Sequence, residues 1–391
     1  MFFVTVNGAV NPKVIQAAVV QAESVSYSEV DGIIWSYKID VYGNATNAKP
    51  DLNGTNGEKF KILTSVIIPD KLDEKKVISI GSSAFENCTK LISINLPEGI
   101  TAIESWAFKG CTSLTSINLP EDITSIGFGT FNSCTSLMRI NLPKGITGIG
   151  SWTFEGCTSL TSINLPEGII GIGSGAFYDC ASLISINLPG GITDIGSGAF
   201  DGCTSLTKVN LPESITGIGS WAFGSCISLT SINIPEGITS IGNGAFKNCA
   251  RLININLPEG ITGIGYETFH GCTRLKSISI PDSVMNIDST AFENCVNLTT
   301  VYANSGSYVS RYNWPFGKVD TKIGYTKGSL IIELGDYDIN SDSVVNIFDL
   351  ANVAKNYNTS KLDVNWQEQY DYNCDGIIDL YDLVKISKKI S

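Results

Sequence analysis

Residues 111–133 read CTSLTSINLPEDITSIGFGTFNS, and close copies of this 23-residue unit follow one another through most of the chain. In each copy the cysteine stands three residues after a phenylalanine and three residues before a leucine. A strict period of this length is typical of a solenoid, in which every repeat forms one turn. The cysteines that mark the period are Cys88, Cys111, Cys134, Cys157, Cys180, Cys203, Cys226, Cys249, Cys272 and Cys295.

The unit contains one short strand. Ile117 and Leu119 lie two residues apart and face the same side of that strand, whereas Ser116 and Asn118 face the other side. Pro120 has no amide hydrogen to donate and ends the strand. A lone unit buries too little apolar surface to offset the entropy of ordering it, so we expect stability only in a stack.

Residues 63–301 resemble leucine-rich repeats of the BspA-like type, which occur in bacterial surface proteins. The shared pattern is Ile-x-x-x-x-Phe-x-x-Cys-x-x-Leu-x-x-Ile-x-Leu-Pro, as in Ile126 to Pro143. A looser first unit begins at Leu63, carries five extra residues before Val77 and lacks the cysteine, which makes eleven strand segments. The resemblance implies a parallel-sheet solenoid and a role in adhesion or protein binding, and it names no ligand.

The column of ten cysteines has two interpretations. Neighbouring turns bring the Cα atoms close enough for disulfides, or the thiols are buried as small apolar fillers. We favour buried thiols, because cysteine replaces the asparagine found at the matching place in other leucine-rich repeats. A thiol titration in denaturant should then count eleven free thiols.

The outward face of the strand repeats asparagine from turn to turn. Stacked amides can bond to each other along such a ladder, or they can line a polar groove for an extended partner. We favour the structural role, because the stripe has few aromatic or charged residues. Its members are Asn95, Asn118, Asn141, Asn164, Asn187, Asn210, Asn233 and Asn256, with Ser279 last.

Trp106, Trp152 and Trp221 each stand two residues before the phenylalanine of their repeat, where most other copies have glycine or serine. We expect these indoles to be partly exposed and predict them as a candidate ligand surface. The alternative is that they only cover neighbouring turns. The single histidine, His270, is expected at the surface.

Composition excludes several classes of function. The net charge of -12 and the pI of about 4.6 argue against nucleic acid as a partner. No apolar run is long enough to span a membrane. Motifs of serine hydrolases, zinc proteases and P-loop enzymes are missing, so we predict no catalytic residues and no enzymatic activity.

Both ends of the chain differ from the repeats. We interpret residues 1–22 as a signal peptide or its remnant, with a disordered tail as the alternative. Residues 23–62 are predicted to cap the first turn, and residues 302–320 the last. Residues 321–334 are predicted as a linker.

Two segments within residues 335–391 match each other and place oxygen-bearing side chains at loop positions 1, 3, 5, 9 and 12. This is the ligand order of an EF-hand, in which the carbonyl of position 7 also binds. We therefore predict two Ca²⁺ ions. The ligands would be Asp338, Asn340, Asp342, Val344, Asn346 and Asp349 in the first loop, and Asp371, Asn373, Asp375, Ile377, Asp379 and Asp382 in the second.

The doubled loops resemble a dockerin, over the full length of residues 335–391. The resemblance implies a small all-α calcium-binding module that binds a cohesin domain of a scaffoldin or cell-surface protein. Carried over, the cohesin-reading residues are Ile347, Phe348, Leu380 and Tyr381. The first loop has Ser343 where the second has Gly376 at position 6, so we expect the first loop to bind calcium more weakly.

Together these features predict a secreted, non-catalytic binding protein of a cellulosome-like complex. The solenoid would recognise a protein or a polysaccharide. Two other classes stay open: a structural spacer with no ligand of its own, and an accessory role in polysaccharide degradation.

Overall fold

The structure, a computed structural model, describes residues 25–51, 57, 60 and 62–303, together with the backbone of four short strands between residues 322 and 378. The described fold is a mainly β parallel solenoid with 23 residues per turn, as the sequence predicts. The predicted all-α module lies in residues 335–391, which are outside the described residues apart from two strand backbones.

A small antiparallel sheet opens the described chain. Its strands are β1 (Ser26–Val30), β2 (Ile33–Ile39) and β3 (Ala45–Pro50). Trp35 of β2 is buried, with its ring 6.4 Å from that of Phe85 in the first complete repeat. Four short strands follow: β4 (Ser65–Ile67), β5 (Lys71–Leu72), β6 (Lys75–Lys76) and β7 (Ser79–Ile80). Strands β5 and β6 form an antiparallel hairpin just before Val77, where the sequence carries its extra residues.

The repeats supply the next eighteen strands, nearly all of two or three residues. They are β8 (Ser93–Asn95), β9 (Ala102–Ile103), β10 (Ser116–Ile117), β11 (Ser125–Ile126), β12 (Arg139–Ile140), β13 (Ser162–Ile163), β14 (Gly171–Ile172), β15 (Ser185–Asn187), β16 (Asp194–Ile195), β17 (Lys208–Asn210), β18 (Gly217–Ile218), β19 (Ser231–Asn233), β20 (Ser240–Ile241), β21 (Asn254–Asn256), β22 (Gly263–Ile264), β23 (Ser277–Ser279), β24 (Asn286–Ile287) and β25 (Thr300–Tyr302).

These strands stack into two parallel ladders. The first ladder contains the predicted strand of each turn and runs from β4 and β8 to β25, with Ser185, Lys208 and Ser231 paired one turn apart. The second ladder is formed by the return segment, in which Ile172 pairs with Ile195 and Ile195 with Ile218. The sequence analysis predicted one strand per turn and missed this second, two-residue strand.

A turn segment forms the third side of each coil, between the second ladder and the next strand of the first. It too is bonded from turn to turn. The amide of Phe177 donates to the carbonyl of Ala199, and that of Phe200 to Ala222, both at 2.8 Å. Backbone polar groups on all three sides therefore find partners in the neighbouring turn, which satisfies them without helices.

The core is one continuous column. Ile117, Leu119, Ile123 and Phe131, which the sequence assigned to the interior, are buried, and so are their equivalents in the other turns except Leu142, which is partly buried. The phenylalanine rings stack on one another with centroids 5.2–5.6 Å apart from Phe85 to Phe292. Each turn thus buries both of its flat sides against its neighbours, as the repeat energetics require.

Four more strand backbones are described beyond the repeats. Strand β26 (Lys322–Gly324) adds in parallel to β25, and β27 (Ile332–Glu333) pairs antiparallel with β26. Both lie within residues 321–334, the range that the sequence predicts as a linker. Strands β28 (Thr359–Ser360) and β29 (Ile377–Ile378) pair with each other.

Candidate binding surface

The three predicted tryptophans lie in the turn segment at one repeated position, which we term the tryptophan position. Its backbone is left-handed in nine consecutive turns, with φ between 51° and 63°. The residues are Ser83, Trp106, Gly129, Trp152, Gly175, Gly198, Trp221, Gly244 and Glu267. A bulky side chain in this region costs about 1–2 kcal/mol relative to glycine. Tryptophan is therefore kept at three of these sites against a backbone preference.

Each tryptophan is paired with a glycine one turn ahead. A β-carbon at Gly129, Gly175 or Gly244 would come within 2.4 to 2.8 Å of the ring of Trp106, Trp152 or Trp221. The indoles therefore lie over the neighbouring turn, as one of the two sequence interpretations holds. They also remain partly exposed, so the same rings can contact a ligand.

A second repeated position, two residues before the cysteine, borders the indoles; we term it the lysine position. Lys109 lies over the Trp106 ring, with its Nζ atom 4.7 Å from the ring centroid. Lys247 lies over Trp221 at the same distance. Carboxylates hold both ammonium groups, since Lys109 bonds to Glu86 at 3.0 Å and Lys247 bonds to Glu267. Two of the indoles thus carry a lysine of this chain as a cation–π partner.

The surroundings of Trp152 are acidic instead. Glu155 and Tyr178 occupy the lysine positions of the same turn and the next, and the Tyr178 ring lies 6.0 Å from the Trp152 ring. Asp179 follows Tyr178, and Asp201 occupies the lysine position one turn further on. Among the described residues no lysine or arginine forms an ion pair with these three carboxylates.

Burial and mutual repulsion shift the titration of this group. Partial burial, and then the charge of Asp179, raise the pKa of Asp201. Burial is also the largest cause that raises the pKa of Glu155, where Asp179 adds to it and a hydrogen bond from Asn132 opposes it. The charge of Asp179 is the largest cause that raises the Tyr178 pKa, followed by burial, Asp201 and Glu155. The charges of all three carboxylates therefore act on the Tyr178 hydroxyl.

The single histidine lies in the same face. His270 occupies a lysine position, and its Nδ1 atom is 3.5 Å from Glu293 and 3.9 Å from Glu267. Its side chain is 18% exposed, which is less than the sequence analysis expected of a surface residue. The Nδ1 atom is buried without a hydrogen-bond partner.

The repeat cysteines are free and buried, which confirms the favoured interpretation of the cysteine column. From Cys111 to Cys295 each thiol donates to the carbonyl of the phenylalanine 26 residues earlier, for example Cys180 to Phe154 at 3.1 Å. Burial raises the pKa of Cys88 to about 11 and raises the pKa of Cys203 further. All ten thiols lack the access to solvent that nucleophilic cysteines have.

The outward face of the first ladder is exposed at the asparagine positions, as predicted. Asn187, Asn210 and Asn233 stand side by side in register, and each alternates with a buried residue. The stripe from Asn95 to Ser279 is a flat polar surface with no charged group of its own. We assign the candidate site to the turn segment, where aromatic and charged side chains meet.

The predicted calcium ligands and cohesin contacts lie outside the described residues, except that the backbone of Ile377 belongs to β29. Within the described part of the chain, no group of three or more histidine, cysteine, aspartate or glutamate residues could hold a metal ion. That same part contains no helix with the length and apolar character to cross a membrane.

Two sequence signals for this surface were overlooked. Glycine follows each tryptophan 23 residues later, at Gly129, Gly175 and Gly244, which is what a ring lying over the next turn requires. The position before the cysteine holds only glycine, asparagine, aspartate or serine, the residues most tolerant of positive φ.

The fold and its surface define a leucine-rich-repeat solenoid. The outer surface of its turn segments, which we term the turn face, carries aromatic and acidic side chains. The family model described as the BspA type leucine rich repeat region matches residues 59–183 and 170–299 in six copies. Since this is more than half of the chain, the protein belongs to that family. No curated protein matches the sequence.

Several solved structures are similar. A leucine-rich cell surface protein from Faecalibacterium prausnitzii A2-165 is 24% identical with a TM-score of 0.48, covering 78% of this chain and 96% of that one. A leucine-rich repeat protein from Bacteroides ovatus ATCC 8483 is 23% identical with a TM-score of 0.43, covering 79% and 100%. The leucine-rich repeat protein of T. pallidum is 27% identical with a TM-score of 0.40, covering 57% and 90%.

Proposed function

We propose that this protein is a secreted, non-catalytic binding protein whose solenoid recognises a protein or surface ligand and whose C-terminal module anchors it to a larger complex. The recognition part is supported by the turn face, where three tryptophans are held in a left-handed conformation that costs stability. Strain of this kind concentrates at functional sites. The repeat family, which the sequence analysis associates with adhesion, fits the same role.

The anchoring part rests on residues 335–391, proposed here as a calcium-dependent dockerin that follows a linker at 321–334. Oxygen donors recur at the same loop positions in two copies, and calcium prefers six to eight oxygen ligands. Bound calcium would neutralise carboxylates that otherwise repel one another within each loop, and so couple binding to folding. The partner would be a cohesin domain, contacted by Ile347, Phe348, Leu380 and Tyr381.

Calorimetry of the full chain tests the calcium sites. We expect two ions per chain, with the second loop binding more tightly than the first because it has Gly376 and one more aspartate. The Asp338→Ala/Asp371→Ala variant should lose both. A matched variant, Asp122→Ala/Asp194→Ala, removes the same charge from exposed solenoid positions and should keep both.

Binding of the purified full chain to a panel of immobilised cohesin domains tests the partner. Capture should require calcium and should disappear with a chelator or in Asp338→Ala/Asp371→Ala. If the protein takes up no calcium, or if chelation changes neither the tail nor its attachment, the anchoring part of the proposal is wrong.

A further inference from the structure

The turn face repeats one arrangement of side chains at its three tryptophans. The arrangement consists of an indole, a lysine and a carboxylate, and it is complete at two of the three. At Trp106 and at Trp221 the indole carries an ammonium group 4.7 Å from its centroid, and a carboxylate of a neighbouring turn holds that ammonium in place. In both cases the lysine comes from one of the two lysine positions that border the indole. At both sites the chain's own lysine thus lies between an aromatic ring and a carboxylate.

Trp152 has the ring and the carboxylates but not the cation. Its two bordering lysine positions hold Glu155 and Tyr178. Glu155 is oriented by a hydrogen bond from the Asn132 amide. Asp179 follows Tyr178 in the sequence, and Asp201 stands one turn further on at the lysine position. Lys109 and Lys247 act on these carboxylates only at long range, because each is bonded to its own glutamate.

The acidic group is unfavourable as it stands. Burial, with the charge of Asp179 adding to it, raises the pKa values of Glu155 and Asp201, and the charge of Asp179 followed by burial raises the pKa of Tyr178. A cation placed between them would relieve this repulsion and also gain the face of Trp152 and the ring of Tyr178. An arginine side chain fits both demands, since its planar guanidinium stacks on aromatic rings and pairs with carboxylates.

We propose that Trp152, Tyr178, Glu155, Asp179 and Asp201 form a binding site for a basic side chain, arginine above all, presented by a partner protein. The proposal rests on the recognition role of the solenoid and specifies its chemistry. It is independent of calcium and of the C-terminal module. The other two tryptophans are, on this view, closed copies of the same site, blocked by the chain's own lysines.

The test uses the full ¹⁵N-labelled protein and follows the indole N–H resonances, with Trp152→Gly and Trp221→Gly identifying two of them. Glycine is the natural substitute because it occupies this left-handed position in four other turns. The probe is the amidated peptide acetyl-Gly-Arg-Gly, and the control is the same peptide with neutral citrulline. We expect the Trp152 signal to shift saturably with the arginine peptide only. The Kd should be about 10 mM, because exposed cation–π contacts and exposed ion pairs are each weak.

Two double variants test the contribution of the carboxylates to peptide binding. Glu155→Gln/Asp201→Asn should weaken peptide binding about tenfold, from the loss of two charge contacts. Glu213→Gln/Glu259→Gln changes the net charge equally at exposed positions and should leave the affinity unchanged. Equal weakening in both variants would mean that only the overall charge attracts the peptide, and the proposed site would be wrong.

Removing a blocking lysine gives an independent test that does not depend on a destabilised variant. Lys247→Met should open the Trp221 copy, so that the Trp221 resonance responds to the arginine peptide as Trp152 does. Lys208→Met, an exposed lysine on the first ladder, should not have this effect. A Trp152 signal that ignores the peptide, together with no response at Trp221 in Lys247→Met, would overturn the inference. Calcium-dependent capture by a cohesin would be unaffected by that outcome, so the two proposals fail separately.

Discussion

At the scale of single residues, the tryptophan position shows a conflict between backbone and side chain. Positive φ favours glycine, which four of the nine left-handed turns have, yet three turns place the largest side chain there. The indole is accommodated because the next turn carries glycine under the ring. The solenoid therefore accommodates the tryptophan together with the glycine of the next turn, as a pair.

Substitution of the paired glycine measures this dependence. We expect Gly198→Ala to cost about 1 kcal/mol, from the positive φ alone, because the added methyl group meets only a distant Tyr178 atom at 3.9 Å. Gly175→Ala has nearly the same φ but forces its methyl group into the Trp152 ring, so it should cost about 1–3 kcal/mol more. The urea midpoints of the two variants give the difference.

The control is the double variant Trp152→Gly/Gly175→Ala, in which the indole is gone. Its cost, measured against Trp152→Gly, should fall to that of Gly198→Ala. Equal effects of Gly175→Ala and Gly198→Ala in the natural background would show that the ring does not lie over Gly175.

At the scale of the element, the cysteine column acts as a ladder of neutral thiols. Burial holds the pKa of Cys88 at about 11, against an ordinary value of 9.0, and raises those of Cys134 and Cys157 well above that value. In the unfolded chain the same thiols ionise near their ordinary pKa. The folded state therefore keeps protons that the unfolded state releases, and alkaline pH favours unfolding.

The stability should thus be complete below about pH 9 and should fall as the pH rises from 9 through 11. Each thiol whose pKa burial raises, such as Cys134 or Cys157, contributes a slope of up to about 1.4 kcal/mol per pH unit in that window. Urea unfolding under reducing conditions at pH 7 to 11 measures the slope. The Cys180→Ala/Cys203→Ala variant, compared with the unsubstituted chain, should show a shallower slope, whatever its stability at pH 7; an identical slope would contradict the assignment.

A thiol count complements this measurement. In the Cys374→Ser variant all remaining cysteines belong to the repeats, and the folded protein should not react with a thiol reagent at pH 8. In denaturant the same variant should give ten free thiols. A lower count after unfolding would indicate disulfides between neighbouring turns.

At the scale of the whole molecule, the strands of each described repeat pair with those of the turn before and the turn after it. From β8 to β25 the register of both ladders advances by 23 residues at each step, as in Ile186 to Val209 and Ile195 to Ile218. Stability in such an array is a sum of terms from single turns and from neighbouring pairs. The length of the solenoid is therefore adjustable in whole turns only.

Deletion of residues 190–212 removes one full turn and joins Pro189 to Glu213, which restores the repeat. We expect this variant to keep a native far-ultraviolet circular dichroism spectrum and to lose a modest part of its stability. Deletion of residues 190–201 removes about half a turn and breaks the register of both ladders, and it should disrupt the fold. Equal behaviour of the two deletions would argue against a solenoid with nearest-neighbour coupling.

The sequence by itself determined the repeat, its period and the side of the strand that faces the core. These follow from local rules, because two residues along a strand restore the same face and a recurring proline ends each strand in the same place. The burial of the cysteines as free thiols was also predictable from the repeat, because identical residues recur at one inward position.

Only the tertiary structure decided what the turn segment presents. The second ladder and most of the contacts around the tryptophans join residues 20 to 26 positions apart, in neighbouring turns. Lys109 over Trp106 is the exception, since the two residues lie three positions apart in one turn. Local sequence preferences act over a few residues, so they could not place Lys247 over Trp221 or Tyr178 beside Trp152. Such pairs arise when turns stack, because stacking converts a sequence distance of one repeat into direct contact.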